Sequence, residues 1–261
     1  MKERKFILAV LVTTLFMPSV PQAKDAYISS VPLCSTGTGI YSEKLTRYSL
    51  VSSHSGFSLP VSPFQKTVST RPCPRGTEII VESGAAGMKG PLPDMSGMLG
   101  NTMFLNTHDP AIKRHAARIA VSSDPVAAAE SFVYRRIHTK TTGIPLMTAA
   151  QVLESGSGDC TEHTVLTVAL LRAAGIPSRA VVGIILVKKY NGDRDRFVFH
   201  MWAESYYRDR WRLVDSTRPG LKNHNRYIAL ALHSLRTAMP LSYLKTVSAI
   251  QNMSVTYKKS K

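Results

Sequence analysis

The segment Cys160–Ala174, "CTEHTVLTVALLRAA", restricts the possible folds more than any other part of the chain. It is apolar on almost every side, and a helix of that kind must be buried among other elements. Asp159 and Glu162 have the spacing of a capping box, which predicts that the helix begins at Cys160. Gly175 predicts where the helix ends. The sequence therefore predicts a buried central helix with a thiol at its first position.

Helices are predicted before this segment, and strands are predicted after it. Two upstream helices each open with Asp-Pro, a pairing of N-cap and first helical residue, and a shorter helix follows: "THDPAIKRHAARIAV", "SDPVAAAESFVYRRIHTK" and "PLMTAAQVLES". Downstream strands are predicted from β-branched and aromatic runs: "SRAVVGIILV", "FVFHMWAESYY", "WRLVD", "RYIALAL" and "MSVTY". A helix is also predicted in this part of the chain, at "PLSYLKTVSAI". Helices followed by antiparallel strands indicate an α+β fold.

The chain divides into three parts by composition. Residues 1–23 have a positive start and a short apolar run, which predicts an export signal, the alternative being an uncleaved membrane anchor. Residues 24–104 are rich in Ser, Thr, Gly and Pro and predict a strand- and loop-rich extension, with a linker at residues 83–100. Residues 105–261 form the predicted α+β domain. We expect a periplasmic or extracellular protein that does not insert stably into a membrane once the signal is removed.

The formal net charge of +16 favours anionic partners, such as an anionic component of the cell envelope. Residues 216–261 contain eight Lys and Arg and no Asp or Glu. The alternative is a solvated basic face. Because the chain has no aromatic-rich nucleic-acid motif, we expect no nucleic-acid partner.

Export also affects how the three cysteines are interpreted. Cys34 and Cys73 lie in the same extension, and in an oxidising compartment we expect them to form a disulfide. That pairing leaves Cys160 as a free thiol. At a helix N-terminus the macrodipole and the unpaired amides favour a thiolate, and the same amides can bind an oxyanion.

A thiol nucleophile needs a base, and the base needs an orienting group. Strand alternation places His200, Trp202 and Glu204 on one face of a predicted strand. Asp215 ends the next strand, where it can accept a hydrogen bond from the imidazole. Each residue alone is equally consistent with a structural cysteine, a core or surface histidine or a turn carboxylate, but the ordered set indicates a Cys–His–Asp triad.

The chain resembles the transglutaminase-like superfamily, and especially its exported bacterial branch, over residues 105–257. The residues that carry the resemblance are "GDCTEH", "LLRAAGIPSRAVVGI", "HMWAE" and "RWRLVDST", in that order. The resemblance implies a papain-like α+β fold and a catalytic triad of Cys160, His200 and Asp215. Members are thiol enzymes that act on amide bonds as transglutaminases, cysteine peptidases or related amidases. Transfer and hydrolysis both pass through the same acyl-enzyme.

Four further residues are candidates for supporting roles. Asp159 is the predicted N-cap, and His163 lies one turn after Cys160. His163 either supports the triad or forms a zinc site with it, but the spacing is not a usual metal motif, and we expect no metal and no cofactor. Trp202 either flanks His200 or packs in the core, and Glu204 is either a supporting acid or a solvated strand residue.

The sequence thus predicts an exported thiol enzyme acting on protein or peptide amides. Hydrolysis is favoured over crosslinking, because a basic surface repels the lysine amine that crosslinking requires. The alternatives are a protein-glutamine transglutaminase and a non-catalytic binding module for an anionic surface.

Overall fold

The structure, a computed structural model, describes most of the chain from Ser30 onward. It covers residues 30–35, 39–54, 56–84, 96–141, 146–233, 235–236, 248–250 and 252–258. The predicted export signal lies outside these ranges, as do most of the predicted linker and most of the helix predicted at residues 240–250.

From residue 105 onward, the described helices and strands occur in the order that the sequence predicts, whereas the four-residue helix Ser96–Leu99 falls within the predicted linker. The helices are α1 (Ser96–Leu99), α2 (Pro110–Ala120), α3 (Pro125–Arg136), α4 (Ala149–Ser155) and α5 (Cys160–Ala173). The strands are β1 (Ser30–Pro32), β2 (Thr46–Ser52), β3 (Gln65–Cys73), β4 (Gly76–Ser83), β5 (Ser178–Tyr190), β6 (Asp193–Tyr207), β7 (Arg210–Val214), β8 (Tyr227–His233) and β9 (Met253–Lys258).

Helix α5 lies at the centre of the molecule, as its apolar sequence predicts. Every residue from Glu162 to Arg172 is buried. Helices α2, α3 and α4 pack against it, and so do β5 and β6. The predicted Asp-Pro caps are present: Asp109 accepts hydrogen bonds at the start of α2, and Asp124 does so at the start of α3.

Strand β6 organises the main antiparallel sheet, whose order is β1-β6-β5-β8. One edge of β6 pairs with β5 along almost its whole length. The other edge is shared, because β1 pairs with residues 196–198 and β7 pairs with residues 203–207. Among the strand pairings of the described residues, this leaves residues 199–202 of that edge uncovered. The N-terminus of α5 meets β6 at this opening.

The second sheet has the order β3-β4-β2-β9 and contains three strands of the N-terminal extension and one strand near the C-terminus. Strand β9, near the C-terminus, pairs with β2 of the predicted extension. Leu50 of β2 and Val255 of β9 belong to the same hydrophobic cluster as Leu166 of α5. Residues from both sides of the predicted boundary near residue 104 therefore belong to one hydrophobic cluster.

The predicted fold class is confirmed: the architecture is α+β, with a Cys-initiated helix buried against an antiparallel sheet. Within the described residues, none of the helices has the length and apolar character needed to cross a membrane.

Candidate active site

The capping box predicted at the start of α5 is present. The Asp159 carboxylate accepts a hydrogen bond from the Thr161 N–H at 2.8 Å, and the Asp159 N–H donates to Glu162 Oε2 at 3.0 Å. Cys160 is the first helical residue, so its own N–H has no intrahelical partner. Local hydrogen bonds thus hold the thiol at a fixed point in front of α5.

A glycine is required at position 158, just before the cap, by the backbone conformation there and by the side chain of Glu162. Its φ is +152°, a conformation that L side chains rarely adopt. A Cβ atom at this position would lie 2.3 Å from the Cβ of Glu162. A larger residue would therefore displace the carboxylate that completes the capping box.

The Cys160 sulfur occupies the opening in the edge of β6. The side chain is half-buried, and the main-chain N–H of Met201 donates a hydrogen bond to the sulfur. Met201 lies between the residues that pair with β1 and those that pair with β7. A backbone donor that would otherwise join a sheet ladder is therefore available to the thiol.

Burial raises the pKa of the Cys160 thiol, and the carboxylates of Asp159, Asp215 and Glu162 raise it further, whereas the Met201 N–H lowers it. This shift is opposite in direction to the thiolate that the helix terminus is expected to favour, because burial disfavours the charged form. A thiol with a raised pKa requires a base before it can act as a nucleophile.

His200 and Asp215 lie together as predicted. His200 Nε2 is 2.7 Å from Asp215 Oδ2, and both side chains are buried. Burial acts to raise the pKa of Asp215, but the charge and hydrogen bond of His200 outweigh it, so the pKa lies well below its usual range. Because Nε2 is taken by Asp215, Nδ1 is the ring nitrogen left to face a ligand. Cys160 and His200 line the same cleft.

Two side chains that sequence reasoning missed donate to Asp215. The Tyr227 hydroxyl donates to Oδ2 at 2.7 Å, and the Thr217 hydroxyl donates to Oδ1 at 2.6 Å. Thr217 is two residues after Asp215, a spacing typical of a local side-chain turn that the sequence could have revealed. Tyr227 gives no such signal, because it reaches Asp215 from β8, a strand that pairs with β5 and not with β7.

Glu130 of α3 supports the same loop through the backbone. Its carboxylate accepts from the N–H of Asp215 at 3.2 Å and from the N–H of Gly220 at 3.3 Å. The two partners are 85 and 90 residues away in sequence, so no local pattern predicts the contact. Burial raises the pKa of Glu130.

His163 lies beside the thiol in the cleft. Its Nδ1 is 2.6 Å from the Asp159 carbonyl oxygen, and because a carbonyl only accepts, Nδ1 carries the proton. Burial lowers the pKa of His163, which favours the neutral ring. Across the described ranges, no group of three or more His, Cys, Asp and Glu side chains is arranged to hold a metal ion.

Trp202 flanks His200, with ring centroids 6.2 Å apart and an interplanar angle of 24°. Gly183, the residue opposite His200 in β5, makes room for the indole, since a Cβ there would lie 2.7 Å from Trp202 Cη2. Trp211 lies elsewhere, in a cluster with Phe64 and Met98.

Glu204 is neither solvated nor among the residues that line the cleft. It is fully buried, its carboxylate binds Arg179 at 2.7 Å, and it accepts from the Ser62 hydroxyl at 2.5 Å. Burial raises the pKa of Glu204, and Arg179 opposes that rise. The hydrogen bond from Ser62 connects the N-terminal extension to Glu204 of β6.

The predicted Cys34–Cys73 disulfide is absent, since both residues are free thiols. Cys73 ends β3, at one edge of the second sheet, whereas the Cys34 N–H donates to the Val255 carbonyl of β9, at the other edge. Three strand intervals of about 4.8 Å separate these edges. A disulfide needs Cα atoms within about 7 Å, so the two thiols are too far apart.

The cleft around Cys160 has a volume of about 1040 Å³. Its walls include apolar side chains from β5 and β6, among them Val187, Val198 and Phe199. Its remaining lining is largely polar and basic, and includes lysines at positions 140, 188 and 189 and arginines at positions 218 and 226. A thiol, an imidazole and a peptide-sized cleft are thus brought together.

Solved structures with a similar fold include two bacterial proteins. A candidate cysteine protease from Cytophaga hutchinsonii is 14% identical with a TM-score of 0.50, over 87% of this chain and 83% of that one. The periplasmic domain of TgpA from Pseudomonas aeruginosa is 19% identical with a TM-score of 0.49, over 80% and 88%. No curated protein matches the sequence. Residues 113–216, the segment that contains Cys160, His200 and Asp215, match the family model of the Transglutaminase-like superfamily, which confirms the resemblance carried by the sequence motifs.

Proposed function

We propose that this protein is an exported thiol hydrolase of peptide amide bonds, with Cys160 as nucleophile, His200 as base and acid, and Asp215 as the orienting residue. The observation that carries the proposal is that Cys160 and His200 line one cleft while Asp215 holds His200 Nε2 at 2.7 Å. A thiol, a base and an orienting carboxylate are the parts that nucleophilic catalysis needs.

The reaction begins with transfer of the Sγ proton to Nδ1 of His200. The sulfur attacks the amide carbonyl carbon, and the carbonyl oxygen takes up the displaced electron pair. The imidazolium then protonates the amine, the C–N bond breaks and a thioester remains. Water, deprotonated by His200, attacks the thioester, and the acid leaves with return of the proton to sulfur.

The raised pKa of Cys160 gives His200 a defined role. Because burial raises the pKa of the Cys160 thiol, transfer of the thiol proton to His200 precedes attack. Asp215, held ionised by its low pKa, stabilises the imidazolium as it forms. The Cys160 N–H, at the first position of α5, is suited to donate to the developing oxyanion.

The basic lining of the cleft favours water over an amine as the acyl acceptor. A lysine ammonium approaching the thioester would pass Lys188, Lys189 and Arg218. Repulsion between unit charges 4 Å apart is about 1 kcal/mol in water and grows as the site dries out. A neutral water molecule meets no such opposition.

Export is proposed from the first 23 residues, whose positive start and apolar run have the pattern of a removable signal. Expression of the full chain in a bacterial host with a cell envelope, followed by fractionation and N-terminal sequencing, tests this part. Recovery of uncleaved protein in the cytosol would contradict it.

The enzymatic proposal is tested with a peptide mixture and a labelled primary amine. Wild-type protein should generate new amino termini, and Cys160→Ala should generate none. Incorporation of the amine into glutamine-containing peptides faster than cleavage would instead support a protein-glutamine transglutaminase. If neither product depends on Cys160, the protein is not a thiol enzyme.

A further inference from the structure

Three separate segments surround the Cys160 cleft with positive charge. Lys140 follows α3, and Lys188 and Lys189 stand at the far end of β5. Arg218 comes three residues after Asp215, and Arg226 directly precedes β8. Positive groups therefore flank the thiol on more than one side.

None of these cations forms an ion pair with a carboxylate of the described residues. Among the described residues, the ion pairs within 4.0 Å engage other groups, such as Arg179 with Glu204 and Arg212 with Asp124, and none engages a lysine or arginine of the cleft. Arg226 instead donates to the Leu186 carbonyl at 2.8 and 2.6 Å. Within the described part of the chain, no ion pair thus neutralises the lysines and arginines of the cleft.

The positive groups are also close enough to act on one another. Burial lowers the pKa of Arg226, and repulsion from Arg218 is the next cause. Lys188 Nζ and the Arg226 guanidinium lie over the same Tyr41 ring, at 5.2 and 5.3 Å from its centroid. An anionic group placed among them would relieve this repulsion.

The cleft offers little negative charge of its own. Asp159 is the acidic residue among the described side chains that line it. Its carboxylate already accepts the Thr161 N–H at 2.8 Å in the capping box. With five Lys and Arg side chains in the same lining, the described walls of the cleft carry an excess of positive charge.

We propose that the substrate is an acidic peptide segment, with Asp or Glu side chains beside the amide bond that is cut. This inference rests on the proposed thiol hydrolase. Carboxylates match the unpaired cations, and each pairing at 4 Å contributes about 1 kcal/mol in water and more where water is excluded. The apolar walls at Ile137, Val187 and Phe199 favour a peptide, with its apolar side chains, over a uniformly charged polymer.

Two matched probes test the inference on the full chain. They are acetyl-Glu-Glu-Ala chloromethyl ketone and acetyl-Gln-Gln-Ala chloromethyl ketone, which differ in charge but hardly in shape. Peptide-resolved mass spectrometry gives the alkylation rate at Cys160 separately from Cys34 and Cys73. We expect the Glu probe to react about 10-fold faster at low ionic strength, with the advantage mostly lost near 0.5 M salt.

Charge-removal variants identify the responsible residues. Lys188→Gln with Lys189→Gln, and separately Arg218→Gln, should each lower the Glu-to-Gln rate ratio about 3-fold. The matched control for the double variant is Lys66→Gln with Arg75→Gln, which removes two charges from exposed positions in the β3–β4 hairpin, and Arg75→Gln alone is the control for Arg218→Gln. The controls should leave the ratio unchanged.

The outcomes separate the two proposals. If both probes alkylate Cys160 no faster than they alkylate N-acetylcysteine, the thiol hydrolase is wrong, while the Glu-to-Gln ratio still measures the charge preference of the cleft. If the Gln probe reacts as fast as the Glu probe, the acidic-peptide inference is overturned even with a reactive thiol. Equal rates that dextran sulfate suppresses alike would assign the basic cleft to an anionic polymer.

Discussion

At the scale of single residues, the proposed chemistry depends on the sulfur of Cys160 and the imidazole of His200. Cys160→Ala removes the nucleophile and should lower amide hydrolysis at least about 1,000-fold. His200→Ala should lower it about 100- to 10,000-fold, because the sulfur loses its proton acceptor and the amine its donor. Both effects are measured as kcat/KM on a cleaved peptide.

The control for these variants is Cys34→Ala, which removes an exposed thiol outside the cleft and should retain full activity. Thermal unfolding of all three proteins shows whether the fold is kept. Wild-type activity in a folded Cys160→Ala protein would contradict the assignment of Cys160 as the nucleophile.

Asp215 and Tyr227 act through His200 and should matter less. Asp215→Ala should be milder than His200→Ala, since it removes orientation and not the base itself. Tyr227→Phe removes one donor to Asp215 Oδ2 and should lower kcat by about 10-fold or less while leaving KM unchanged. Steady-state kinetics of the two variants separates kcat from KM.

Tyr206→Phe is the matched control, because this hydroxyl belongs to the Trp211 cluster and not to the cleft. Equal kcat losses in Tyr206→Phe and Tyr227→Phe would show that the Tyr227 bond has no positioning role.

Ionisation of Glu162, in the capping box of α5, should make the stability of the protein depend on pH. Burial and the Asp159 carboxylate raise its pKa to about 7. A group whose pKa is raised on folding contributes stability that is present below its unfolded pKa and is lost as pH rises through the folded value. Glu162→Gln stays neutral, so its stability relative to wild type should rise between about pH 4.5 and 7, by on the order of 1–3 kcal/mol.

Urea unfolding of Glu162→Gln and wild type at pH 5 and pH 8 measures this difference. Glu154→Gln, on the exposed end of α4, is the control for removing a carboxylate and should show little change with pH. A constant difference between Glu162→Gln and wild type across the two pH values would contradict the raised pKa.

At the scale of elements, the start of α5 depends on the glycine before its cap. Gly158→Ala forces an unfavourable φ and brings a methyl group against Glu162. We expect a loss of more than about 1–3 kcal/mol in the free energy of unfolding, together with loss of hydrolysis as Cys160 moves. Urea unfolding and peptide kinetics measure the two effects.

Gly192→Ala is the control for Gly158→Ala, because it separates the effect of an unfavourable φ from the effect of contact with Glu162. Gly192 also has a positive φ, +92°, but no atom lies within 4 Å of a Cβ built there. It should therefore cost stability through the backbone alone and keep activity. Equal effects of the two substitutions would show that contact with Glu162 is not the cause.

At the scale of the whole molecule, the N-terminal extension and the α+β region share one core. Tyr48, Leu50, Ile79 and Val81 of the extension are buried in the same cluster as α5. Losing about 1.5–3 kcal/mol for each large apolar side chain amounts to most of the 5–15 kcal/mol that stabilises a typical domain. We expect a chain beginning at residue 105 not to unfold cooperatively.

Thermal unfolding followed by circular dichroism tests this expectation against a chain beginning at residue 30, which keeps every described strand. The longer chain should show one cooperative transition. A cooperative transition in the shorter chain would mean that residues 105–261 fold independently, as their composition suggests.

The parts that the sequence predicted correctly are those set by local chemistry. The capping box of Asp159 and Glu162, the Asp-Pro helix starts and the strand that carries His200 all depend on residues a few positions apart. The contact between His200 and Asp215 was also predictable from the sequence, because a short turn joins the two strands that carry or precede them. The direction of the Cys160 pKa shift did not follow from the sequence, because burial, its largest cause, is a property of the folded molecule.

By itself, the sequence determined the α+β class, the buried helix and the order of Cys160, His200 and Asp215 along it. Only the tertiary structure decided that Tyr227 and Glu130 support Asp215, that Glu204 binds Arg179 and Ser62, and that Cys34 and Cys73 lie apart. These contacts join residues far apart in the chain, and such pairs are chosen by how sheets and helices pack. The basic lining of the cleft arose in the same way, since its three segments meet only when the chain is folded.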